Sequence, residues 1–234
     1  MLGESASRDA YDRDGRVVLK SAATPEVAGR LLGLISANLM RPGLAERFLV
    51  RPGQGKPTVN LKPSYEFYGA NAPLVLGFHW GLTSRMRELT RKRLAPTYSY
   101  FRTYQKGDIC TVHTDRPACE HSLSMPLAYS DNIVWNLDIG TRKCDQAAME
   151  RNPLSPDFGD EPFHSVRLDP GDALVYKGID YRHGRTTPNP NRWSAHVFMH
   201  WVDIDGPHAD WAFDRRSGAS AIDFSFSEAS ARST

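Results

Sequence analysis

Long apolar segments are missing from this sequence of 234 residues. No stretch approaches the roughly 18 continuous apolar residues of a membrane-spanning helix. The first residues, MLGESASRDAYDRDG, are polar and have no apolar core typical of a signal peptide. We therefore expect no membrane partner and a cytoplasmic location.

Cysteine and net charge are also scarce. The three cysteines are odd in number and have no CxxC spacing, so a disulfide framework is not expected and a reducing compartment is favoured. The formal net charge is only +2, from 29 basic and 27 acidic residues. Such a balance gives no argument for a nucleic-acid partner. The basic stretch LTSRMRELTRKRL (82–94) is interpreted as the solvated face of a helix, and no pattern indicates an oligomeric state.

The order of the local patterns predicts an α+β fold. Residues 24–40, TPEVAGRLLGLISANLM, are typical of a capped helix, and residues 15–20 of a short strand. After Pro96 at least seven short strands follow, separated by turn residues, which favours a sandwich or jelly-roll core. We expect a single domain over 1–213, with helices mainly in 1–95 and the β core in 96–205. A polar insertion (141–162) has no assigned role, and residues 214–234 are expected to form a flexible tail.

Three residues have the character of metal ligands. In VHTDRP (112–117), His113 and Asp115 are two residues apart, so both can point to the same side at the end of one strand. His183 follows a later β-like run and can supply a third ligand. Two histidines and one carboxylate on one face of an octahedral ion leave three positions open, as in non-haem Fe(II) oxygenases. Catalytic zinc also uses three protein ligands, so zinc remains an alternative.

A basic residue follows the third ligand at a suggestive distance. Arg192 comes nine residues after His183, and Ser194 is expected on the same strand face two residues later. A guanidinium can hold a carboxylate through two hydrogen bonds, so this pair could bind the far end of 2-oxoglutarate. His196 and His200 continue the alternation and are interpreted as buried structural histidines.

These motifs resemble the 2-oxoglutarate/Fe(II)-dependent dioxygenase superfamily, in particular its prolyl-4-hydroxylase-like branch. HTD, RHGR and NRWS occur in the family's order and spacing, and RTYQKGD precedes them. The resemblance covers roughly residues 97–203 and implies a double-stranded β-helix. It implies that the iron ligands are His113, Asp115 and His183. It implies that the contacts to 2-oxoglutarate are Arg192, Ser194 and Tyr104. A lysine is common in that branch where Arg192 stands, which weakens the placement within the superfamily.

The resemblance also implies an activity. It is the oxidation of an unactivated C–H bond with Fe(II), 2-oxoglutarate and O2, releasing succinate and CO2; hydroxylation is the expected outcome, with desaturation and ring closure as alternatives. Arg102, Arg116 and Trp135 are candidate contacts for a small-molecule substrate such as an amino acid or natural-product intermediate, and the arginines would suit a carboxylate or phosphate. The alternatives are a hydroxylase of protein or peptide side chains and a non-catalytic jelly-roll binding module.

Overall fold

The computed structural model describes residues 4–53, 58–144 and 154–215. These ranges contain five α-helices, α1 (Glu4–Asp14), α2 (Pro25–Leu39), α3 (Leu44–Phe48), α4 (Pro73–Gly81) and α5 (Thr83–Thr90). They also contain eleven strands, β1 (Arg16–Leu19), β2 (Leu49–Val50), β3 (Ser64–Tyr68), β4 (Leu94–Gln105), β5 (Cys110–His113), β6 (His121–Tyr129), β7 (Leu137–Lys143), β8 (Phe163–Val166), β9 (Ala173–Tyr176), β10 (Tyr181–Arg185) and β11 (Trp193–Asp203). No helix in the described ranges is long and apolar enough to cross a membrane.

The strands form two antiparallel sheets. The large sheet has the order β1-β9-β6-β11-β4-β3-β2, and the small sheet has the order β5-β10-β7-β8. Strands β4 to β7 alternate between the sheets along the chain, and strands β8 to β11 do so again. This alternation is the connectivity of a jelly roll, also called a double-stranded β-helix. The predicted α+β fold with this core is therefore confirmed.

Strand β11 shows how one sequence serves both faces of the large sheet. Its side chains alternate, so one set packs in the main core cluster with the helices, namely Val197, Met199 and Trp201. Burial of each such apolar side chain contributes about 1.5–3 kcal/mol. The other set points between the two sheets, namely His196, Phe198 and His200. The helices thus cover one face of the sheet and leave the opposite face for polar chemistry.

Helix α2 begins where its sequence predicts. The Thr24 hydroxyl accepts a hydrogen bond from the Val27 N–H at 3.4 Å, and Pro25 occupies the first helical position. Leu31 and Ile35 are buried on the face turned to the core. The predicted helix over 24–40 is therefore confirmed within one residue at either end.

Other elements differ from the sequence-based expectation. The helix predicted over 82–94 ends at Thr90, because Arg91 adopts a left-handed φ of 56° that a helix cannot continue through. Helices α1 and α4 were not expected, and neither was strand β3, which extends the large sheet. The leading part of the chain therefore has more regular structure than the two helices and the short strand over 15–20 that the patterns predict.

The expected insertion and tail are only partly described. Of 141–162, residues 145–153 lie outside the described residues, and Ser155 forms an antiparallel bridge with Val112. Of the tail predicted over 214–234, the described part is 214–215, which ends a short 3-10 segment that begins at Ala209. Asp214 forms an ion pair with Arg116, and the boundary of the tail stays a prediction.

Candidate active site

The three predicted metal ligands meet between two neighbouring strands of the small sheet. His113 is the last residue of β5, and its register partner on β10 is His183. Asp115 follows β5 by two residues. Its Oδ1 lies 3.7 Å from His113 Nε2 and 3.5 Å from His183 Nε2. Ligands about 2.1 Å from an octahedral ion lie roughly 3 Å apart, so a small shift would close the set around one ion.

Hydrogen bonds prepare both histidines for a metal. His113 Nδ1 lies 2.7 Å from the Thr111 carbonyl oxygen, and His183 Nδ1 lies 3.0 Å from the Tyr181 carbonyl oxygen. A carbonyl can only accept, so each Nδ1 carries the proton and each Nε2 keeps its lone pair. The lone pairs face the Asp115 carboxylate, which is the arrangement that metal-ligating histidines adopt. The donor set therefore fits a divalent ion.

The electrostatics of the three residues agree with a cation site. Burial and, to a smaller extent, the neighbouring His183 together lower the pKa of His113 to about 4. Burial opposes ionisation of Asp115, but the neighbouring histidines, His183 above all and then His200 and His113, together outweigh burial and hold the pKa of that carboxyl below its usual range. Burial also opposes protonation of His183, and Asp115 outweighs it, so the pKa of His183 is raised. A metal ion would take the place of the proton that this pair attracts.

Neighbouring groups hold the Asp115 carboxylate in position. Its Oδ2 accepts a hydrogen bond from Ser122 Oγ at 3.2 Å, and Ser122 Oγ lies 2.9 Å from His200 Nδ1. The Asp115 N–H donates to the Gly178 carbonyl at 3.0 Å. Cys119, His200 and Asp115 also lie within 4.8 Å of one another. This second trio shares its carboxylate with the first, so one ion at a time can use it fully.

The ligands open into a cavity that both sheets line. The large sheet contributes Tyr100, Arg102, Tyr104 and Phe198, and the small sheet contributes Arg185 beside the ligands. Two guanidinium groups therefore face the same space as the metal site. Arg102 is 8% exposed and Arg185 is 1% exposed, so an anion that reaches either one would be largely removed from water.

Arg185 was not predicted, yet its position follows from a rule already used. It lies two residues after His183 on β10, so both side chains point to the same side of the strand. Its Nη1 donates to the Trp135 carbonyl, and its Nη2 lies 3.3 Å from His196 Nδ1. In the part of the chain that the structure describes, no acidic side chain pairs with it. A buried guanidinium without a counter-ion marks a site for an anion from outside.

Arg192 and Ser194, the residues predicted to bind the far carboxylate of 2-oxoglutarate, lie away from this cavity. Arg192 is exposed and precedes β11, so the alternation of that strand does not place it inside. Its backbone N–H bonds to the Asp131 carboxylate at 2.5 Å. Ser194 is buried, but Asn189 Nδ2 and His196 Nε2 lie 3.1 Å from its hydroxyl. Neither residue lines the cavity, so the structure does not bring them to the ligands, and their role as 2-oxoglutarate contacts stays a prediction.

The remaining predicted contacts divide into three cases. Tyr104 and Arg102 line the cavity, and Arg102 Nη1 donates to the Tyr104 hydroxyl at 3.3 Å. Trp135 is buried behind them, where its indole N–H donates to the Thr187 carbonyl at 2.6 Å. It does not line the cavity and also lies outside the strands. Arg116 stacks on Tyr98 at 4.2 Å and is the residue that pairs with Asp214, so it lies one aromatic layer away from the cavity.

Comparisons with known proteins agree with this fold. The chain is similar to a crystal structure of a prolyl-4-hydroxylase from Pseudomonas putida, with 13% identity, a TM-score of 0.56, and coverage of 86% of this chain and 99% of the other. It is similar to a 2OG-Fe(II) oxygenase family protein from Burkholderia pseudomallei, with 15% identity, a TM-score of 0.58, and coverage of 86% and 91%. It is also similar to the epimerase SnoN in complex with Fe3+, alpha ketoglutarate and nogalamycin RO, with 14% identity, a TM-score of 0.60, and coverage of 94% and 93%.

No protein-family model and no curated protein matches the sequence. The identities to the solved structures are low, so these similarities concern the fold. The chain has the fold of the 2-oxoglutarate- and Fe(II)-dependent oxygenases, and the superfamily resemblance read from the motifs is confirmed at that level. Its placement in the prolyl-4-hydroxylase-like branch stays a prediction.

Proposed function

We propose that this chain is an Fe(II)- and 2-oxoglutarate-dependent oxygenase that hydroxylates a C–H bond of a small molecule. The observation that carries the proposal is the convergence of His113, Asp115 and His183, with both Nε2 atoms directed at one carboxylate oxygen. The fold places this set where a cavity lined by two arginines begins. The similar structure of SnoN is described with Fe3+ and alpha ketoglutarate, which supports the same cofactor pair here.

Arg185 is the residue that we assign to the far carboxylate of 2-oxoglutarate. It faces the cavity two residues from His183, and its charge has no acidic partner among the described residues. Tyr104 lines the same cavity, and its hydroxyl can donate a second hydrogen bond to such a ligand. Charge-assisted hydrogen bonds of this kind are short and strong. Arg185 thus replaces Arg192 in the role that the sequence suggested.

The bound iron and 2-oxoglutarate would supply the oxidation, in which O2 gives one oxygen atom to the substrate and one to succinate while CO2 leaves. The chain's own residues perform positioning. His113, Asp115 and His183 hold three positions and leave three for ligands. Ser122 fixes the orientation of the carboxylate. The rings of Tyr100 and Phe198 are stacked with their centroids 4.7 Å apart and form an aromatic wall of the cavity, which would limit the access of water to the reacting C–H bond.

Zinc would also fit the same three ligand atoms, and the affinity order of divalent metals favours zinc over Fe(II). Two guanidinium groups beside the metal support a keto-acid enzyme instead, because zinc hydrolysis needs only a water at the open position.

The test is optical and anaerobic. Addition of Fe(II) and 2-oxoglutarate without O2 should give the wild-type protein a weak visible absorption band, and Asp115→Ala should lose it. The matched control is Asp205→Ala, which removes an exposed carboxylate paired with Arg93 and should keep the band. Absence of the band in wild-type protein would contradict the proposal and favour the binding-module alternative.

A further inference from the structure

The second guanidinium of the cavity belongs to an ion pair that spans two strands. Arg102 on β4 and Glu66 on β3 are register partners, so their side chains lie on the same face of the large sheet. Arg102 Nε donates to Glu66 Oε1 at 2.6 Å, and Ser64 Oγ donates to the same oxygen at 3.0 Å. The pair therefore has a fixed geometry beside the metal site.

Each member of the pair keeps one end unused. Arg102 donates from Nε to Glu66 and from Nη1 to Tyr104, and no hydrogen bond within the described ranges involves its Nη2. Glu66 Oε1 accepts two hydrogen bonds, and within the same ranges its Oε2 accepts none. Arg102 lines the cavity, whereas Glu66 does not line it but has a side chain that is 18% exposed. A donor in the cavity and a partly exposed acceptor of opposite charge beside it thus remain for a ligand.

Charge balance decides which ligand these two ends suit. An Fe(II) ion, the Asp115 carboxylate, Arg185 and the doubly negative 2-oxoglutarate sum to zero charge. The Arg102–Glu66 pair is neutral as well. A substrate with a single charge would leave an excess charge in a site screened from water, which is costly. A zwitterion would keep the sum at zero, as an uncharged molecule would, but it alone would also place a carboxylate at Arg102 and an ammonium group at Glu66.

We propose that Arg102 and Glu66 form the substrate subsite and that they take a free amino acid, with its carboxylate on Arg102 and its ammonium group on Glu66. This rests on the function proposed above. Glu66 would then determine specificity, a role that nothing in the sequence indicates. Ser64 is a positioning residue, because its hydroxyl holds the carboxylate oxygen that Arg102 also uses.

The position of the pair suits the substrate better than it suits 2-oxoglutarate. Arg185 is almost fully buried, whereas the Glu66 side chain is 18% exposed. Strand β3 lies near the edge of the large sheet, and Tyr68, the next residue on the same face as Glu66, is 49% exposed. Its ring lies 6.2 Å from that of Tyr100, which lines the cavity. A substrate can therefore approach along this aromatic face after 2-oxoglutarate has bound at the deeper arginine.

The first experiment needs only wild-type protein. Standard protein amino acids in L and D form are tested for stimulation of succinate release in the presence of Fe(II), 2-oxoglutarate and O2. Each active compound is compared with its N-acetyl derivative and its methyl ester, which remove one charge each. We expect a free amino acid to stimulate, and each derivative to raise KM by roughly 10- to 100-fold, the effect of losing a hydrogen bond to a charged group.

The second experiment assigns each charge to its residue. Glu66→Gln should remove the discrimination against the N-acetyl derivative, and Arg102→Gln should remove the discrimination against the methyl ester. The matched control is the exposed pair Arg51 and Glu46, 2.8 Å apart, whose Gln variants should change neither ratio. A residue that merely supported the fold would lower activity with all three compounds and leave the ratios unchanged.

Three outcomes would overturn the inference. One is that no free amino acid stimulates succinate release; another is that the derivatives work as well as the parent compound. The third is that Arg102→Gln abolishes the anaerobic Fe(II)/2-oxoglutarate band, which would assign Arg102 to the co-substrate. Failure of the proposed function itself is distinct, because wild-type protein would then show no band at all. The derivative comparison stands even where a variant does not fold.

Discussion

Exchange of Arg185 for glutamine should weaken 2-oxoglutarate binding far more than the same exchange at Arg192. Arg185 lines the cavity and is 1% exposed. Removal of one partner of a buried, hydrogen-bonded charge pair costs about 2–5 kcal/mol, which corresponds to an increase in Kd of roughly 30-fold to several thousand-fold. Arg192 is exposed, and exposed charges contribute about 0–1 kcal/mol. Its glutamine variant should therefore change Kd by less than about fivefold.

The assay is an anaerobic titration of 2-oxoglutarate into the Fe(II)-loaded protein, followed by the visible band. Repeating the titration with 2-oxobutyrate, which lacks the distal carboxylate, separates recognition from general damage. Wild-type protein and Arg192→Gln should prefer 2-oxoglutarate strongly, and Arg185→Gln should lose most of that preference. Equal loss of preference at both positions, or a loss at Arg192 alone, would refute the assignment and restore the prediction made from the sequence.

Two further predictions concern the support of the metal site and the stability of the fold. In Gly178→Ala the added Cβ would lie 2.3 Å from Asp115 Oδ2 and would displace that carboxylate, so the Fe(II) affinity should fall at least about tenfold, the effect of disturbing the orientation of a metal ligand. The control is Gly33→Ala, because no atom lies within 4 Å of the Cβ added there. Unchanged Fe(II) affinity in Gly178→Ala would contradict the reasoning. Burial lowers the pKa of His79 to about 3 and that of His121 to about 4. Below pH 6.5 the folded state therefore binds fewer protons than the unfolded state. The free energy of unfolding should be highest above pH 6.5 and fall as the pH drops towards 4. At pH 5 the loss should be about 2 kcal/mol for each histidine, and thermal melts of His121→Gln should depend less steeply on pH than those of wild-type protein.

The β core was predictable because its information is local. Side chains that alternate in strands such as RWSAHVFMHWVD reveal both faces of a sheet. The same alternation places His113 and Asp115, two residues apart, on the same side of the chain. Helix α4 was missed because PLVLGFHWG is short and apolar on every side, so no period separates a buried face from an exposed one. Strand β3 follows a loop-like, proline-containing stretch and becomes visible only through its pairing with β4.

The placement of Arg192 differs from the sequence-based expectation for a definite reason. Its distance from His183 was read as a family spacing, and its alternation with Ser194 assumed that the strand already included it. Strand β11 starts one residue later, at Trp193. Element boundaries are the least certain part of sequence-based prediction, and here a shift of one residue moves a guanidinium from the cavity to the surface.

The two arginines of the cavity differ in a way that only tertiary structure can show. Arg185 shares a strand with a metal ligand, so sequence spacing could have found it. The role of Arg102 depends on Glu66, which is 36 residues away and becomes its neighbour through the register of two strands. Because a buried guanidinium needs a negative partner, the presence of an internal partner at Arg102 and its absence at Arg185, among the described residues, is the difference that separates them. In the proposed assignment, the guanidinium without a counter-ion, together with a divalent ion and Asp115, suits a doubly negative ligand, whereas the paired guanidinium suits a ligand of zero net charge. This distinction connects the proposed order of binding to the proposed selection of the substrate.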